Sequence, residues 1–212
     1  MINRLHYISQ QQDEISHLDA ITNALEGGCE WIQLRVKNQP EDIVKSYAIE
    51  AKKLCDRYNA KLIINDFPDV AKAVKADGVH LGLLDMPVAK AREIVGPEVI
   101  IGGTANTFED VLLRVSEGAD YVGLGPFRFT KTKDKLSPIL GIEGYRKILT
   151  KIQESNISIP VIAIGGIELE DVSSIMDTGV FGVAISGAIT LAKDQRKVVE
   201  ELYSKLTLSH QL

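Results

Sequence analysis

Apolar and polar positions repeat along this chain as a pair of patterns, a short apolar run followed by a longer amphipathic stretch. "RLHYIS" (4–9) predicts a strand, and "DEISHLDAITNALEGG" after it carries Ile15, Leu18, Ile21 and Leu25 at helical spacing, with Gly27 and Gly28 as a stop. "WIQLRV" (31–36) predicts the second strand. A helix from about Pro40 to Tyr58 then puts Ile43, Tyr47, Ala51 and Leu54 on one face. "KLIIN" (61–65) with "DVAKAVK", and "GVHLG" (78–82) with "PVAKAREIVG", form the third and fourth pairs. "VIIGGTA" (99–105), "YVGLG" (121–125), "PVIAIGG" (160–166) and "GVAISGAI" (182–189), each with a following helical segment, bring the number of pairs to eight. His17 falls on the side of its helix expected to face solvent, and His6 lies inside the first strand.

Strands that are apolar on both faces, each followed by a helix, indicate a parallel sheet, because a parallel connection needs a crossover long enough to hold a helix. Eight such units in one chain of 212 residues predict an α/β fold, a single (β/α)8 TIM barrel with one domain over residues 1–212. A doubly wound open sheet is the competing arrangement. Its dinucleotide-binding form lacks support, since no Gly-x-Gly-x-x-Gly opens the first strand-to-helix turn. No linker or low-complexity segment divides the chain.

Composition narrows the class of partner. A net charge of −5 gives no basic field for nucleic acid, so small-molecule substrates are favoured. Cys29 and Cys55 form no CxxC pair, which argues against a disulfide framework or a zinc site and suits a reducing compartment. "MINRLHYISQ" lacks a signal-peptide core, and no run reaches the roughly 18 apolar residues of a membrane span. A soluble cytoplasmic protein without membrane partners is expected. Nothing in the sequence sets an oligomeric state.

Barrel active sites lie where the strands end, so polar residues at those points carry the candidate chemistry. Gln33, Arg35 and Lys37 recur at period two and share one side of the second strand. Asn65 and Asp66 end the third strand, His80 and then Asp85 follow from the fourth, and Thr104 and Asn106 from the fifth. "GPFRFTKTKDKLSP" after the sixth contains Thr130, Lys131, Thr132 and Lys133. Gly165-Gly166 and Ser186-Gly187 close the seventh and eighth. Glycines there suit phosphate, whose oxygens accept from backbone N–H groups that no side chain screens, although tight turns explain glycines equally well. Thr130 to Lys133 offer more phosphate donors, or form a solvated loop.

Asp66, just before Pro68, has two readings: a helix cap, or a ligand that with Asp85 binds Mg2+. Cations inside a barrel, as Arg35 and Lys37 would be, are costly unless an anion meets them. Together these groups imply ligands that carry two separate phosphoryl groups. His80 reads as structural, and with His210 in the tail no Ser-His-Asp or metal-histidine set can be assembled. Lys37 or Lys133 could act as a Schiff-base lysine, but paired carboxylates fit a metal-diphosphate site better.

"WIQLRVK", "LIIND", "KADGVHLG" with Asp85 beyond it, "GGTANT", "GLGPFRFTKTK", "PVIAIGGI" and "ISGAI" resemble, in this order, the motifs of the thiamine phosphate synthase (thiamine-phosphate pyrophosphorylase) family. The resemblance covers roughly residues 4–192. It implies a transferase of thiamine biosynthesis that couples a pyrimidine diphosphate to a thiazole phosphate with Mg2+ and releases pyrophosphate. By that resemblance the segment Gln33, Leu34, Arg35, Val36 and Lys37 holds the pyrimidine diphosphate. Gln33 faces the ring, and Arg35 and Lys37 face the diphosphate. Asn65 matches a substrate ligand, Asp66 and Asp85 the metal carboxylates, Thr104 a position usually Ser, and Lys133 the lysine on the diphosphate. Thr130, Lys131 and Thr132 match the segment on the thiazole phosphate, with Gly166, Ser186 and Gly187 closing over the same group. Arg35, Lys37 and Lys133 are thereby implied in catalysis.

Leu83 stands where the family often has Gln, and Phe129 where it often has Pro. "SGAI" near the end is similar to the thiazole tautomerase relative, which generally lacks the Asn65-Asp66 pair. A tautomerase-like isomerase and a non-catalytic barrel binding thiazole or thiamine phosphate are therefore the competing readings. The segment from Pro126 to Leu140 is the expected closing loop.

Overall fold

The structure is a computed structural model that describes residues 1–12, 15–129 and 138–208. Eight strands, β1 (Leu5–Ile8), β2 (Trp31–Leu34), β3 (Lys61–Asn65), β4 (Gly78–Leu81), β5 (Ile100–Ala105), β6 (Tyr121–Leu124), β7 (Val161–Ile164) and β8 (Gly182–Ile185), close into one barrel in sequence order. Every neighbouring pair is parallel, including β1 with β8. The crossover helices are α1 (His17–Glu26), α2 (Glu41–Arg57), α3 (Pro68–Ala73), α4 (Val88–Val95), α5 (Phe108–Ser116), α6 (Gly141–Glu154) and α7 (Val172–Met176), followed by a short α8 (Gly187–Thr190) and α9 (Gln195–Leu208). The closed (β/α)8 barrel predicted from the pattern is the fold. No helix among the described residues is long and apolar enough to cross a membrane.

Local signals start the helices. Ser16 and Asp19 form a reciprocal capping box at α1, and Thr107 and Asp110 form another at α5, each satisfying backbone N–H groups left free at a helix start. Around the barrel, alternate strand residues such as Leu5, Tyr7, Ile32, Leu34, Ile64, Val79 and Val122 point outward into the main core beneath the helices.

Three sequence expectations change. The buried face of α2 is Val44, Ala48, Ala51 and Cys55, whereas Ile43 is exposed and Tyr47 and Leu54 are only partly covered. Small side chains let this helix lie close on the sheet, and size alone favoured the wrong face. The eighth predicted strand stops at Ile185, and Gly187 begins α8. His17 is buried: its Nδ1 lies 3.0 Å from Ser9 Oγ, and the same oxygen accepts the Arg35 backbone N–H at 3.1 Å.

Inside the barrel a second cluster, containing Ile8, Trp31, Ile63, Tyr121, Ile162 and Ala184, forms a floor. His6 stacks on Trp31 with ring centroids 4.3 Å apart, and Tyr121 meets His6 edge-on at 5.1 Å. Burial pushes the His6 pKa down to about 3, so the ring is neutral; its Nε2–H donates to Asn3 O at 2.8 Å. The large rings fit because small residues face them. Gly102 pairs with Tyr121, and a Cβ on Gly102 would lie 2.1 Å from the Tyr121 ring. Gly102→Ala is expected to destabilise the barrel by about 3 kcal/mol, since an added methyl has no unoccupied space to enter. Urea unfolding checks this, and an unchanged midpoint would mean that the floor rearranges freely.

Candidate active site

Above the floor the strand ends open into a cavity of about 990 Å³. Its wall includes Gln33, Arg35, Lys37, Asn65, Asp66, His80, Asp85, Thr104, Gly166, Ser186 and Gly187. The period-two reading of β2 therefore places three side chains together: Gln33 within the strand, Arg35 and Lys37 beyond its end. Leu34 and Val36 alternate away into the outer core and do not line the cavity. Thr130, Lys131, Thr132 and Lys133 lie outside the described residues, as does the middle of the expected closing loop, residues 130–137.

The deepest polar layer is fixed by hydrogen bonds. Gln33 Nε2 donates to Asn65 Oδ1 at 2.8 Å across β2 and β3. His80 is held on both nitrogens, with Nδ1 3.0 Å from the Tyr121 hydroxyl and Nε2 3.0 Å from Thr104 Oγ1. Burial raises the Tyr121 phenol pKa, so it stays protonated and can donate. These contacts give His80 a structural role, and it also lines the cavity.

Asp66 does not cap α3. The N-cap is Phe67, with no side-chain cap bond, and the Asp66 N–H goes to His80 O at 2.9 Å. The backbone at Asp66 is left-handed, with φ +68°, a conformation Asp tolerates better than most residues. That turn brings its carboxyl group to the Asp85 carboxyl, close enough to share a hydrogen bond. Asp85 is itself anchored by the Gly82 N–H, 2.6 Å from Oδ2, and a side chain on Gly82 would occupy that oxygen's place.

Burial and then Asp85 raise the Asp66 pKa to about 7, against the opposing pull of Lys37 and Arg35. Two carboxyl groups this close stay together by sharing a proton or by sharing a cation. Among the described residues no group of three or more His, Cys, Asp or Glu could hold a metal. The pair instead suits a hard cation that takes its other oxygens from a ligand and water, as Mg2+ does at phosphate sites.

Across the mouth, Gly165 (φ +99°) and Gly166 (φ +68°) follow β7 in the left-handed region that favours glycine. A Cβ on Gly165 would sit 2.8 Å from Pro126 Cβ. Ser186 Oγ donates to Gln10 Oε1 at 2.9 Å, and a Cβ on Gly187 would meet only Leu191 Cδ1 at 3.9 Å, so the backbone there is open to the cavity. Sequence reasoning missed Gln10, Leu84, Glu168 and Leu191, which also line the cavity. Gln10 sits in a run of three glutamines that gave no reason to choose it, and the others lie beyond strand ends without a motif.

A closed parallel barrel with a carboxylate pair beside cations on one side of its mouth, and an open glycine backbone on the other, has the form of a (β/α)8-barrel enzyme with its site at the strand ends. A family model described as thiamine monophosphate synthase matches residues 5–189, so the chain belongs to that family. The thiamine-phosphate synthase of Phocaeicola vulgatus is 55% identical over 190 residues, which cover 90% of this chain and 91% of that protein. The thiamine-phosphate synthase of Flavobacterium johnsoniae is 51% identical over 206 residues, 97% of each chain. The solved thiamine phosphate pyrophosphorylase from Pyrococcus furiosus superposes with a TM-score of 0.84 at 35% identity, covering 97% of this chain and 96% of that one.

The raised Asp66 pKa has a measurable sign. Between its ordinary value of 3.8 and about 7 the folded protein keeps a proton that the unfolded chain releases, so rising pH favours unfolding. In chelator-treated protein, wild type should lose stability relative to Asp66→Asn across that window, and Mg2+ should restore wild type but not the variant. Parallel urea titrations from pH 4 to pH 7 measure it; coincident pH profiles would remove the shared-proton account.

Proposed function

We propose that the protein is a thiamine phosphate synthase that joins 4-amino-2-methyl-5-(diphosphooxymethyl)pyrimidine to a thiazole phosphate, or to its carboxylated form with loss of carbon dioxide, giving thiamine phosphate and pyrophosphate. The observation that carries this reading furthest is the Asp66–Asp85 pair beside Arg35 and Lys37 in one cavity. Family membership supports it over most of the chain.

In this reading the methylene carbon–oxygen bond breaks and its electron pair leaves with pyrophosphate. The thiazole nitrogen lone pair then forms the new carbon–nitrogen bond. No protein nucleophile is needed. Gln33 and Asn65, already bonded to one another, present fixed amide groups to the pyrimidine ring. Arg35 and Lys37, with Lys133 by family resemblance, face the diphosphate and stabilise charge that grows as the bond breaks. Asp66 and Asp85 would hold Mg2+, which when bound neutralises charge on the leaving pyrophosphate. Gly166, Ser186 and Gly187 receive the thiazole phosphate, with Thr130, Lys131 and Thr132 assigned to it by resemblance. Leu83, Leu84 and Phe129 give the mouth an apolar edge. A cytoplasmic location agrees with the two buried free thiols, Cys29 and Cys55.

The tautomerase-like isomerase and the non-catalytic binding barrel need no carboxylate pair for a diphosphate-bound metal, which is why the synthase is preferred. Incubation with both substrates and Mg2+, followed by mass spectrometry, should yield thiamine phosphate and pyrophosphate. Absence of product from folded protein would leave one of the other two readings. Asp66→Asn and Asp85→Asn should each lower turnover by about a hundredfold, the scale for losing one strong electrostatic stabiliser, and chelation should abolish activity until Mg2+ is returned. Normal turnover in both variants would remove the metal assignment.

A further inference from the structure

Arg128 follows β6 and does not line the cavity, yet it makes three separate attachments to the loop after β7. Its backbone N–H donates to Gly165 O at 3.0 Å, and its Nη1 donates to Gly166 O at 3.1 Å. The guanidinium also grips Asp171 with both arms, Nη1 to Oδ2 at 2.9 Å and Nη2 to Oδ1 at 2.8 Å. Asp171 Oδ2 accepts the Glu168 N–H at 2.9 Å as well, so one carboxylate ties the far end of the same loop. The arginine is fixed from behind. Its guanidinium lies 5.2 Å from the Phe127 ring centroid, and Phe127 stacks on Tyr145, whose hydroxyl donates to Leu124 O at 2.8 Å.

We propose that Arg128 and Asp171 are positioning residues for phosphate binding: their ion pair clasps the Gly165–Gly166 turn so that its backbone is held in the left-handed conformation a substrate phosphate needs. This rests on the reading that the turn receives the thiazole phosphate. Gly166 is where the clasp acts. A Cβ on Gly166 would lie 3.1 Å from Phe129 O and 3.2 Å from Arg128 Cβ, so the turn and the Arg128 segment are in direct contact. The residue has no side chain to anchor itself, and a left-handed glycine is free to leave that conformation. Ile167, buried beside it, anchors one side of the turn and the bidentate pair anchors the other.

A half-exposed ion pair adds little to global stability. Its effect should appear instead in the geometry of the site, where small displacements of a binding group are costly. Arginine is required by shape as well as charge, since a lysine cannot span two carboxylate oxygens and a carbonyl at once.

The test compares wild type with Arg128→Ala, Arg128→Lys, Asp171→Ala and the double alanine variant, using steady-state kinetics on both substrates and inorganic phosphate as a competing probe. All four variants should raise KM for the thiazole phosphate and weaken inorganic phosphate binding by about tenfold, the lower part of the range for a misplaced binding group. KM for the pyrimidine diphosphate and kcat should stay within about twofold, since neither phosphate nor metal at the other side is touched. Melting temperature should barely move, and the double variant should be no worse than either single one. Should Arg128→Ala fail to fold, Arg128→Lys and Asp171→Ala carry the comparison. Unchanged phosphate binding overturns the proposal, as does an equal rise in both KM values. Loss in Arg128→Ala without loss in Asp171→Ala also overturns it, because Arg128 would then be acting directly. If wild type makes no thiamine phosphate but the variants still weaken inorganic phosphate binding, the clasp stands and the synthase reading falls.

Discussion

Filling the inside of a small closed barrel is the constraint on which the rest of this structure depends. Every second residue of eight strands points into one narrow space, and that space must be packed without voids. Here the lower part is filled by a few large rings, His6, Trp31 and Tyr121, with Gly102 leaving room beside Tyr121. Tyr121 links this floor to the layer above: its ring packs below, and its hydroxyl meets His80, which in turn meets Thr104. The amides of Gln33 and Asn65 stand at the same level. Polar groups that line the cavity are therefore held by the same packing that closes the barrel.

The two sides of the mouth solve opposite electrostatic problems with similar backbone geometry. Asp66 and Gly166 both turn at φ +68°. On one side the turn delivers a carboxyl group to a second carboxyl, an arrangement that is unfavourable until a proton or a cation joins it. On the other the turn puts left-handed glycine backbone into the cavity wall, with no formal charge of its own. The adjacent cations Arg35 and Lys37 offset part of the charge on the carboxyl pair.

The barrel was legible in the sequence because parallel strands buried on both faces leave unbroken apolar runs, and all eight could be counted. Strand-end polar residues were legible for the same reason: wherever an apolar run stops, the next side chains sit at the mouth. Period two brought out Gln33, Arg35 and Lys37 together. The same alternation shows why Leu34 and Val36 point elsewhere, even though a contiguous motif includes them. The buried face of α2 was missed because Val44 and Ala48 are smaller than Ile43 and Tyr47, and helix-to-sheet spacing is a property of the assembled core. Capping and metal binding predict the same residue types at the end of a strand, so the cap reading of Asp66 could be set aside only once the α3 N-cap was seen to be Phe67. Arg128 and Asp171 lie 43 residues apart, and no local pattern pairs them.

The aromatic floor also governs traffic. Because His6, Trp31 and Tyr121 seal the barrel beneath Gln33 and Asn65, a ligand reaches those amides by descending from the mouth. Gly166 and Gly187 stand on the wall of that same cavity. Anything bound at either level therefore shares one approach, and whatever leaves the amides must go back past the rim.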